Sequence, residues 1–281
     1  MERTSATLLG TLAVALAAIG WGTWALFLRG TGVPPVWQSI LILSVITLAW
    51  LPLALRSRRG PRPARAWRDM ALLGAFDAGN YILYFAAVDR GPIALAVLTH
   101  YLAPVLVAAG APFLLAEPLG RRTLPAAAVA LIGVAMLLGG VQTDGGVLVT
   151  ALLGAGSAAF YAASALWSKK LFEHFTGTEL LCYHAGISAL LLLPFAGRPP
   201  PLDSMIGRPL VGALLAGAGG GALFYFGLRR IEAQRAAVLT YLEPLVAALV
   251  GALAFGEAHT PLALVGAALV LASGAAVALQ K

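Results

Sequence analysis

Ten apolar stretches follow one another along the chain, and they leave room for little else. They cover residues 7–28, 36–55, 67–88, 92–116, 124–140, 147–168, 178–195, 207–228, 234–256 and 261–279. A helix that crosses a lipid bilayer needs about 20 predominantly apolar residues. The pattern therefore predicts ten transmembrane helices, here called the first to tenth spans, joined by short loops.

The charge content excludes the competing architectures. Only 11% of the residues are charged, and six of the ten stretches contain no Asp, Glu, Lys or Arg, whereas an amphipathic helix of a soluble protein carries a polar face. A transmembrane β-barrel requires apolar and polar residues to alternate over segments of about ten residues, and the apolar stretches do not alternate. The chain is therefore predicted to be an all-α membrane protein.

The basic residues predict the orientation of the chain. They lie between the apolar stretches and form no aromatic-rich patch, so the expected partner is a lipid bilayer and not a nucleic acid. If the amino terminus is inside, fifteen Lys and Arg fall on the inner face and four on the outer face. By the positive-inside rule, we predict a multi-pass protein of the inner (plasma) membrane with both termini cytoplasmic.

Neither a cofactor nor a metal ion is expected. Cys182 is the single cysteine, which excludes an internal disulfide and a cysteine-based metal cluster. No pair of His or carboxylate residues has the i, i+4 spacing of a membrane metal centre, and no GxxxxGK[ST] phosphate-binding loop occurs. ATP is therefore not expected to be the direct energy source.

Two segments of the chain repeat one another. YFAAVDRGPIALAVLT at 84–99 and YFGLRRIEAQRAAVLT at 225–240 agree at six of sixteen positions. After one additional residue in the first copy, His100, the match resumes and pairs Pro104 with Pro244 and Glu117 with Glu257. We predict two repeats of five helices, residues 1–143 and 144–281. Because five is odd, the second repeat enters the membrane from the opposite face and is inverted.

Inverted repeats have a functional consequence in membrane carriers. They give two nearly equivalent packings, each open to one face, around a site near the middle of the membrane, so the repeat predicts a central cavity and alternating access. Pro104 and Pro244 fall midway along the fourth and ninth spans, where a missing amide and a ring clash kink a helix. The kinks are expected either to face the cavity or to serve packing alone.

The chain resembles the EamA type of the drug/metabolite transporter superfamily. The resemblance rests on the five-plus-five repeat, Gly20-Trp21-Gly22 in the first span, the sixth span ending at Lys169, and the spacing from Pro to Glu in the fourth and ninth spans. It implies a basket-like bundle with the first to fourth and sixth to ninth spans around a central cavity and the fifth and tenth at its periphery. It also implies export of amino acids or other small metabolites.

Two carboxylates lie deep within the predicted spans, Asp77 in the third and Glu243 in the ninth. A charge at that depth costs about 2.5 to 3.5 kcal/mol on insertion scales, so intramembrane acids are functional candidates by default. Both are predicted to hold a substrate ammonium or a coupling proton, the alternative being a hydrogen bond between helices. His100 is a third candidate for proton coupling, and His184 is a weaker one.

Aromatic side chains are predicted to complete the substrate cavity. Asp77, Tyr81 and Tyr84 share one face of the third span, with Asn80 beside them. Cation-π contact or ring stacking would hold an amine or an aromatic substrate. The other predicted cavity residues are Trp21, Trp24, His100, Tyr101, Tyr161, Tyr183, Tyr225, Tyr241 and Glu243.

Other aromatic and acidic residues are predicted to be structural. Tryptophans near the ends of spans are expected in the interfacial belt, namely Trp37, Trp50, Trp67 and Trp167. Glu117 and Glu257 close the fourth and ninth spans. Glu117 is expected to pair with Arg121 or Arg122.

The residues together predict a secondary active transporter that exports small organic metabolites, with amino acids or related amines as the expected substrates. Protons or a counter-substrate are the candidate coupling partners. A multidrug exporter of lipophilic cations is the main alternative. An intramembrane lipid-modifying enzyme is a remote one, because paired metal ligands and a nucleophile motif are missing, and a channel lacks a filter motif.

Overall fold

The protein is described by a computed structural model that covers residues 2–57, 60–90, 93–138, 147–256 and 260–278, all of which form helices, turns and loops without a strand. The α-helices, in chain order, are α1 Glu2–Gly22, α2 Trp24–Leu28, α3 Pro35–Arg56, α4 Ala64–Arg90, α5 Ile93–His100, α6 Ala103–Leu114, α7 Thr123–Leu137, α8 Val147–Leu171, α9 Gly177–Leu192, α10 Leu202–Met205, α11 Arg208–Gly212, α12 Gly220–Leu228, α13 Ala233–Leu239, α14 Leu242–Phe255 and α15 Pro261–Ala278.

Eight helical segments are long and apolar enough to cross a membrane within the part of the chain that the structure describes. They correspond to all predicted spans except the fifth and tenth, which are the shorter apolar helices Thr123–Met136 and Pro261–Ala276. An all-helical membrane protein is thus confirmed. The count of ten spans and the inversion of the second repeat stay predictions.

Both prolines of the repeat mark a break in a span. The fourth span is interrupted at Tyr101 and Leu102, between α5 and α6, and the ninth at Thr240 and Tyr241, between α13 and α14. Pro104 lies in the first turn of the helix that follows, where the amide that proline lacks would have no partner within the helix. The two breaks touch, because the Tyr241 hydroxyl donates a hydrogen bond of 2.8 Å to the Tyr101 carbonyl oxygen.

The eighth span contains a π-helical segment, Ala213–Gly219, in which the usual backbone hydrogen bonds are displaced. Two tryptophans of the first repeat donate to its carbonyl oxygens. Trp21 Nε1 lies 3.0 Å from the Ala216 oxygen and Trp50 Nε1 lies 3.0 Å from the Ala218 oxygen. The indole nitrogen of Trp50 thus binds the backbone of a neighbouring span, and its position in the interfacial belt stays a prediction.

The first and ninth spans approach most closely at Gly22. A Cβ atom at this position would lie 2.5 Å from Val246 Cβ and 2.7 Å from the Glu243 carbonyl oxygen. Gly20, two residues earlier, has no such neighbour within 4 Å. Gly22 therefore permits the contact that positions the backbone of Glu243.

Gly22→Ala is expected to lower the free energy of unfolding in detergent by about 1 to 3 kcal/mol, the usual effect of overpacking a close contact. Gly20→Ala is the matched control. It should be neutral or stabilising by up to about 1 kcal/mol, because alanine favours helix more than glycine does. Thermal unfolding of the two variants measures the difference. Equal unfolding temperatures would contradict the close contact.

Candidate functional site

A cavity of ≈ 530 Å³ lies inside the bundle. Its described lining comes from the first, second, third, fourth, sixth, seventh, eighth and ninth spans, and no described residue of the fifth or tenth span contributes. This is the arrangement that the resemblance implied. Both halves of the chain therefore build one shared cavity.

Eleven of the thirteen predicted substrate-binding residues line this cavity. They are Trp21, Trp24, Asp77, Asn80, Tyr81, Tyr84, His100, Tyr101, Tyr161, Tyr225 and Glu243. The structure thus brings together residues of six spans that are up to 222 positions apart. Their role in binding stays a prediction.

The structure places the other two, Tyr183 and Tyr241, outside the cavity lining. The Tyr183 ring packs against Trp67 and Phe175, with centroids 5.5 and 6.3 Å away. Tyr241 is 1% exposed and holds the two span breaks together through its hydroxyl. The prediction that these two tyrosines line the cavity was therefore wrong, because their rings pack between helices.

Asp77 is held by two side chains of the second half of the chain. The Ser164 hydroxyl donates to Asp77 Oδ1 at 2.7 Å. His184 Nδ1 lies 2.7 Å from Asp77 Oδ2, a contact with the length of an ion pair but not the alignment of a hydrogen bond. Asp77 thereby joins the third span to the sixth and the seventh.

The polar cluster around Asp77 continues towards the base of the cavity. The His184 ring stacks on Tyr225, with centroids 5.5 Å apart and planes at 19°. The Tyr225 hydroxyl and Ser168 Oγ are 3.0 Å apart and share a hydrogen bond. Ser164 and Ser168 were missed by the sequence analysis, although they follow Tyr161 at i+3 and i+7 and therefore share its helix face.

His100 belongs to a second polar cluster. Its Nδ1 lies 2.9 Å from Ser157 Oγ, and the Ser157 hydroxyl is also 2.8 Å from Asn80 Oδ1. The imidazole is surrounded edge-on by the rings of Tyr84, Tyr101 and Tyr161 at 5.1 to 5.9 Å. This cluster ties the third, fourth and sixth spans together.

Glu243 differs from Asp77 in having no partner. No hydrogen bond or ion pair engages its carboxylate within the described residues. It stands in the first turn of α14, where the helix dipole favours a negative charge. The phenols of Tyr84, Tyr101 and Tyr161 lie within electrostatic range of it. An acidic side chain without a partner therefore faces the cavity together with a group of aromatic rings.

The charge of the cavity has one sign. Its lining contains two carboxylates, Asp77 and Glu243, and no Lys or Arg among the described residues. Because charges interact more strongly in a low-dielectric interior than in water, this cavity attracts cations and repels anions. An ammonium group fits this environment.

At one end of the bundle, here called the mouth end, the cavity is lined by Leu28, Pro35 and Gln38. Pro35 is exposed and Gln38 is partly exposed, whereas Ser168 and Tyr225 at the base are buried. A smaller cavity of ≈ 340 Å³ lies at the opposite end, and Leu181 and Tyr225 line both cavities. These two side chains therefore form the wall between them.

Charged groups tie the helices together at this opposite end, here called the closed end. Lys169 Nζ lies 3.1 Å from Glu117 Oε1 and also donates to the Ile231 carbonyl oxygen. Glu117 Oε2 accepts a hydrogen bond of 2.7 Å from the Ala233 amide. The expected pairing of Glu117 with Arg121 or Arg122 was wrong, because Glu117 reaches across to the second half of the chain. Its repeat counterpart, Glu257, lies outside the described residues.

A second ion pair at the closed end is almost fully buried. Arg62 Nη2 lies 2.7 Å from Glu179 Oε1, and the two side chains are 7% and 0% exposed. Arg62 Nε also donates to the His174 carbonyl oxygen at 2.8 Å. Like the pair of Glu117 and Lys169, this pair joins the first half of the chain to the second.

The chain is similar to a family of transporters and to several known proteins. The EamA-like transporter family matches twice, at residues 8–139 and 148–279. A protein from Archaeoglobus fulgidus described as an uncharacterized transporter is 32% identical over 272 residues, 94% of each chain. The aromatic amino acid exporter YddG of Ancylobacter novellus is 29% identical, covering 99% of this chain and 98% of its own.

Two further relatives extend the comparison. A probable terminal-alkyne amino-acid exporter of Streptantibioticus cattleyicolor is 28% identical, covering 83% of this chain and 81% of its own. A solved crystal structure with 25% identity superimposes with a TM-score of 0.79 and covers 98% of both chains.

Proposed function

Since the chain belongs to the EamA-like transporter family, we propose that it exports small organic amines or amino acids across the inner membrane. The family and its named relatives are transporters, so the intramembrane enzyme loses its support. Two of the relatives are named as exporters of amino acids, which supports this substrate class.

One observation carries the substrate proposal: two carboxylates and a group of tyrosines line a cavity without a Lys or Arg among its described residues. Glu243, which has no partner there, binds the substrate ammonium. The rings of Tyr84, Tyr101 and Tyr161 provide cation-π and stacking contacts. An amino acid additionally needs donors for its carboxylate, and the phenol hydroxyls supply them.

Transport proceeds by alternating access between two inverted repeats, residues 1–143 and 144–281. The contact between Tyr101 and Tyr241, which are equivalent positions of the repeat, supports a pseudo-two-fold axis through the two span breaks. The single wall of Leu181 and Tyr225 between two cavities supports a passage that opens to one face at a time. The closed end carries Lys169, Arg229 and Arg230 and is cytoplasmic, as are both termini.

A multidrug exporter of lipophilic cations is the second candidate, because the same acidic and aromatic lining suits a delocalised cation. The two differ in their need for substrate hydrogen bonding. An amino acid depends on the phenol hydroxyls, whereas a lipophilic cation depends on the rings alone.

The test is counterflow into proteoliposomes that contain the purified protein, with radiolabelled phenylalanine, phenethylamine and tetraphenylphosphonium. Saturable uptake of phenylalanine or phenethylamine, with weak competition by tetraphenylphosphonium, is the expected result. Uptake of tetraphenylphosphonium alone would favour the multidrug exporter. Absence of uptake for all three would reject the proposed substrate class.

A further inference from the structure

We propose that the two intramembrane carboxylates have different ligands: the pair of Asp77 and His184 binds a coupling proton, and Glu243 binds the ammonium group of the substrate. This division rests on the proposed function, because it assigns the coupling ion of the same cavity. His184 is the residue that the structure adds, since the sequence analysis gave it little weight.

The two carboxylates have different contacts, and this difference supports the assignment of different ligands. Both oxygens of Asp77 are engaged, Oδ1 by the Ser164 hydroxyl and Oδ2 by His184 Nδ1, each at 2.7 Å. The Glu243 carboxylate has neither a hydrogen bond nor an ion pair within the described residues. An incoming ammonium group would have to displace protein contacts at Asp77 but none at Glu243. Glu243 is therefore the better site for the larger cation.

The geometry at Asp77 suits a proton instead. His184 Nδ1 and Asp77 Oδ2 lie 2.7 Å apart, so a proton taken up by the imidazole stands next to a counter-charge and needs no further space. His184 is 7% exposed, and its Nε2 is buried with no hydrogen-bond partner among the described residues. The imidazole can therefore gain or lose a proton at Nε2 without breaking a hydrogen bond.

Charge couples the two sites. When both carboxylates are ionised, the cavity holds two negative charges that attract a cation, and a proton on the pair of Asp77 and His184 removes one of them. Linkage is reciprocal, so an ammonium group that arrives at Glu243 weakens proton binding at the pair. One cation then leaves as the other binds, which is the requirement for antiport.

Other titratable groups surround the pair of Asp77 and His184, but they do not take its place as the proposed proton site. Those that face it are Tyr81 on the third span, Tyr161 on the sixth, Tyr225 on the eighth and Glu243 on the ninth. The described helix of the second span offers none before its terminal Arg56. Farther along the lining stands His100, which binds Ser157, and beside His184 on its own helix are Cys182 and Tyr183.

The pair of Asp77 and His184 also connects the two repeats, so a change in its charge would affect both. Asp77 belongs to the first repeat, and Ser164 and His184 belong to the second. The His184 ring stacks on Tyr225, which forms the wall towards the closed end. Protonation of the pair would therefore alter a contact between the repeats next to that wall.

The experiment measures proton release and affinity on the full-length protein in weakly buffered detergent. Phenethylamine is added to the wild type, and a pH-sensitive dye reports protons. The balance is one proton released from the pair for each phenethylammonium bound at Glu243. We expect proton release on binding and an apparent Kd about tenfold weaker at pH 6 than at pH 8, within the usual range of such coupling.

Two variants and one control decide the assignment. His184→Gln and Asp77→Asn are expected to abolish proton release and to reduce the pH dependence of Kd to less than about twofold. His174→Gln, at an exposed histidine of the loop, should behave like the wild type. Size-exclusion chromatography identifies folded protein, and either folded variant suffices for the test.

The outcomes separate the two proposals. If the wild type binds phenethylamine without releasing a proton, or if folded His184→Gln or Asp77→Asn keeps the full pH dependence, the proton site is refuted and the proposed function stands. If the wild type binds neither phenethylamine nor phenylalanine at any pH, the proposed function fails and the coupling fails with it.

Discussion

Glu243→Gln is expected to weaken phenethylamine binding by about 30-fold or more. The replacement keeps the shape of the side chain and removes the one cavity carboxylate without a partner among the described residues. Loss of one charge from a desolvated pair costs about 2 kcal/mol or more, which corresponds to this factor. Binding isotherms and counterflow rates of the variant measure the effect.

Glu232→Gln is the matched control, because Glu232 is an exposed glutamate in the loop before α13. It should leave affinity within about twofold, since exposed charges are well screened. A similar loss of affinity in both variants, or none in either, would show that the Glu243 carboxylate does not bind the substrate.

Arg62→Met is expected to give the largest loss of stability. Glu179 would stay buried without its counter-charge, which costs about 3 to 5 kcal/mol. The double variant Arg62→Met/Glu179→Gln should recover much of this loss, because it leaves no unpaired charge. Thermal unfolding in detergent measures all variants.

Arg65→Met provides the comparison at an exposed ion pair. Arg65 lies 3.9 Å from Asp69 and is 69% exposed, so its removal should cost less than about 1 kcal/mol. If Arg62→Met is no more destabilising than Arg65→Met, the buried pair does not hold the closed end together.

Periodicity was sufficient to find one face of the site. Asp77, Tyr81 and Tyr84 recur at helical spacing on a span that is otherwise apolar, so their common orientation follows from the sequence. Tyr183 and Tyr241 show the limit of this reasoning, because an aromatic ring in a membrane helix is equally suited to lining a cavity and to packing against other rings.

Contacts between distant segments could not be predicted from the sequence. Glu117 has arginines four and five residues later, yet its partner is Lys169, 52 positions away. Ser164 and Ser168 carry little signal, because serine is common in membrane helices and its hydroxyl often bonds to its own helix. His184 was only a weak candidate from the sequence, because nothing in the sequence places Asp77 beside it.

The π-helical segment of the eighth span was also unforeseen. Its glycines predict close packing, but a change in hydrogen-bond pattern has no residue signature. The indoles of Trp21 and Trp50, which bind its carbonyl oxygens, come from spans about 170 to 195 positions away.

Alternating access is tested most directly by cysteine labelling from each side of the membrane. In a Cys182→Ser background, Gln38→Cys reports the mouth end and Ser168→Cys reports the base of the cavity. An impermeant thiol reagent is applied from one face at a time, with and without phenethylamine. We predict that any condition that slows labelling of Gln38→Cys from outside accelerates labelling of Ser168→Cys from the cytoplasm. Rates that rise and fall together at both positions would contradict alternating access.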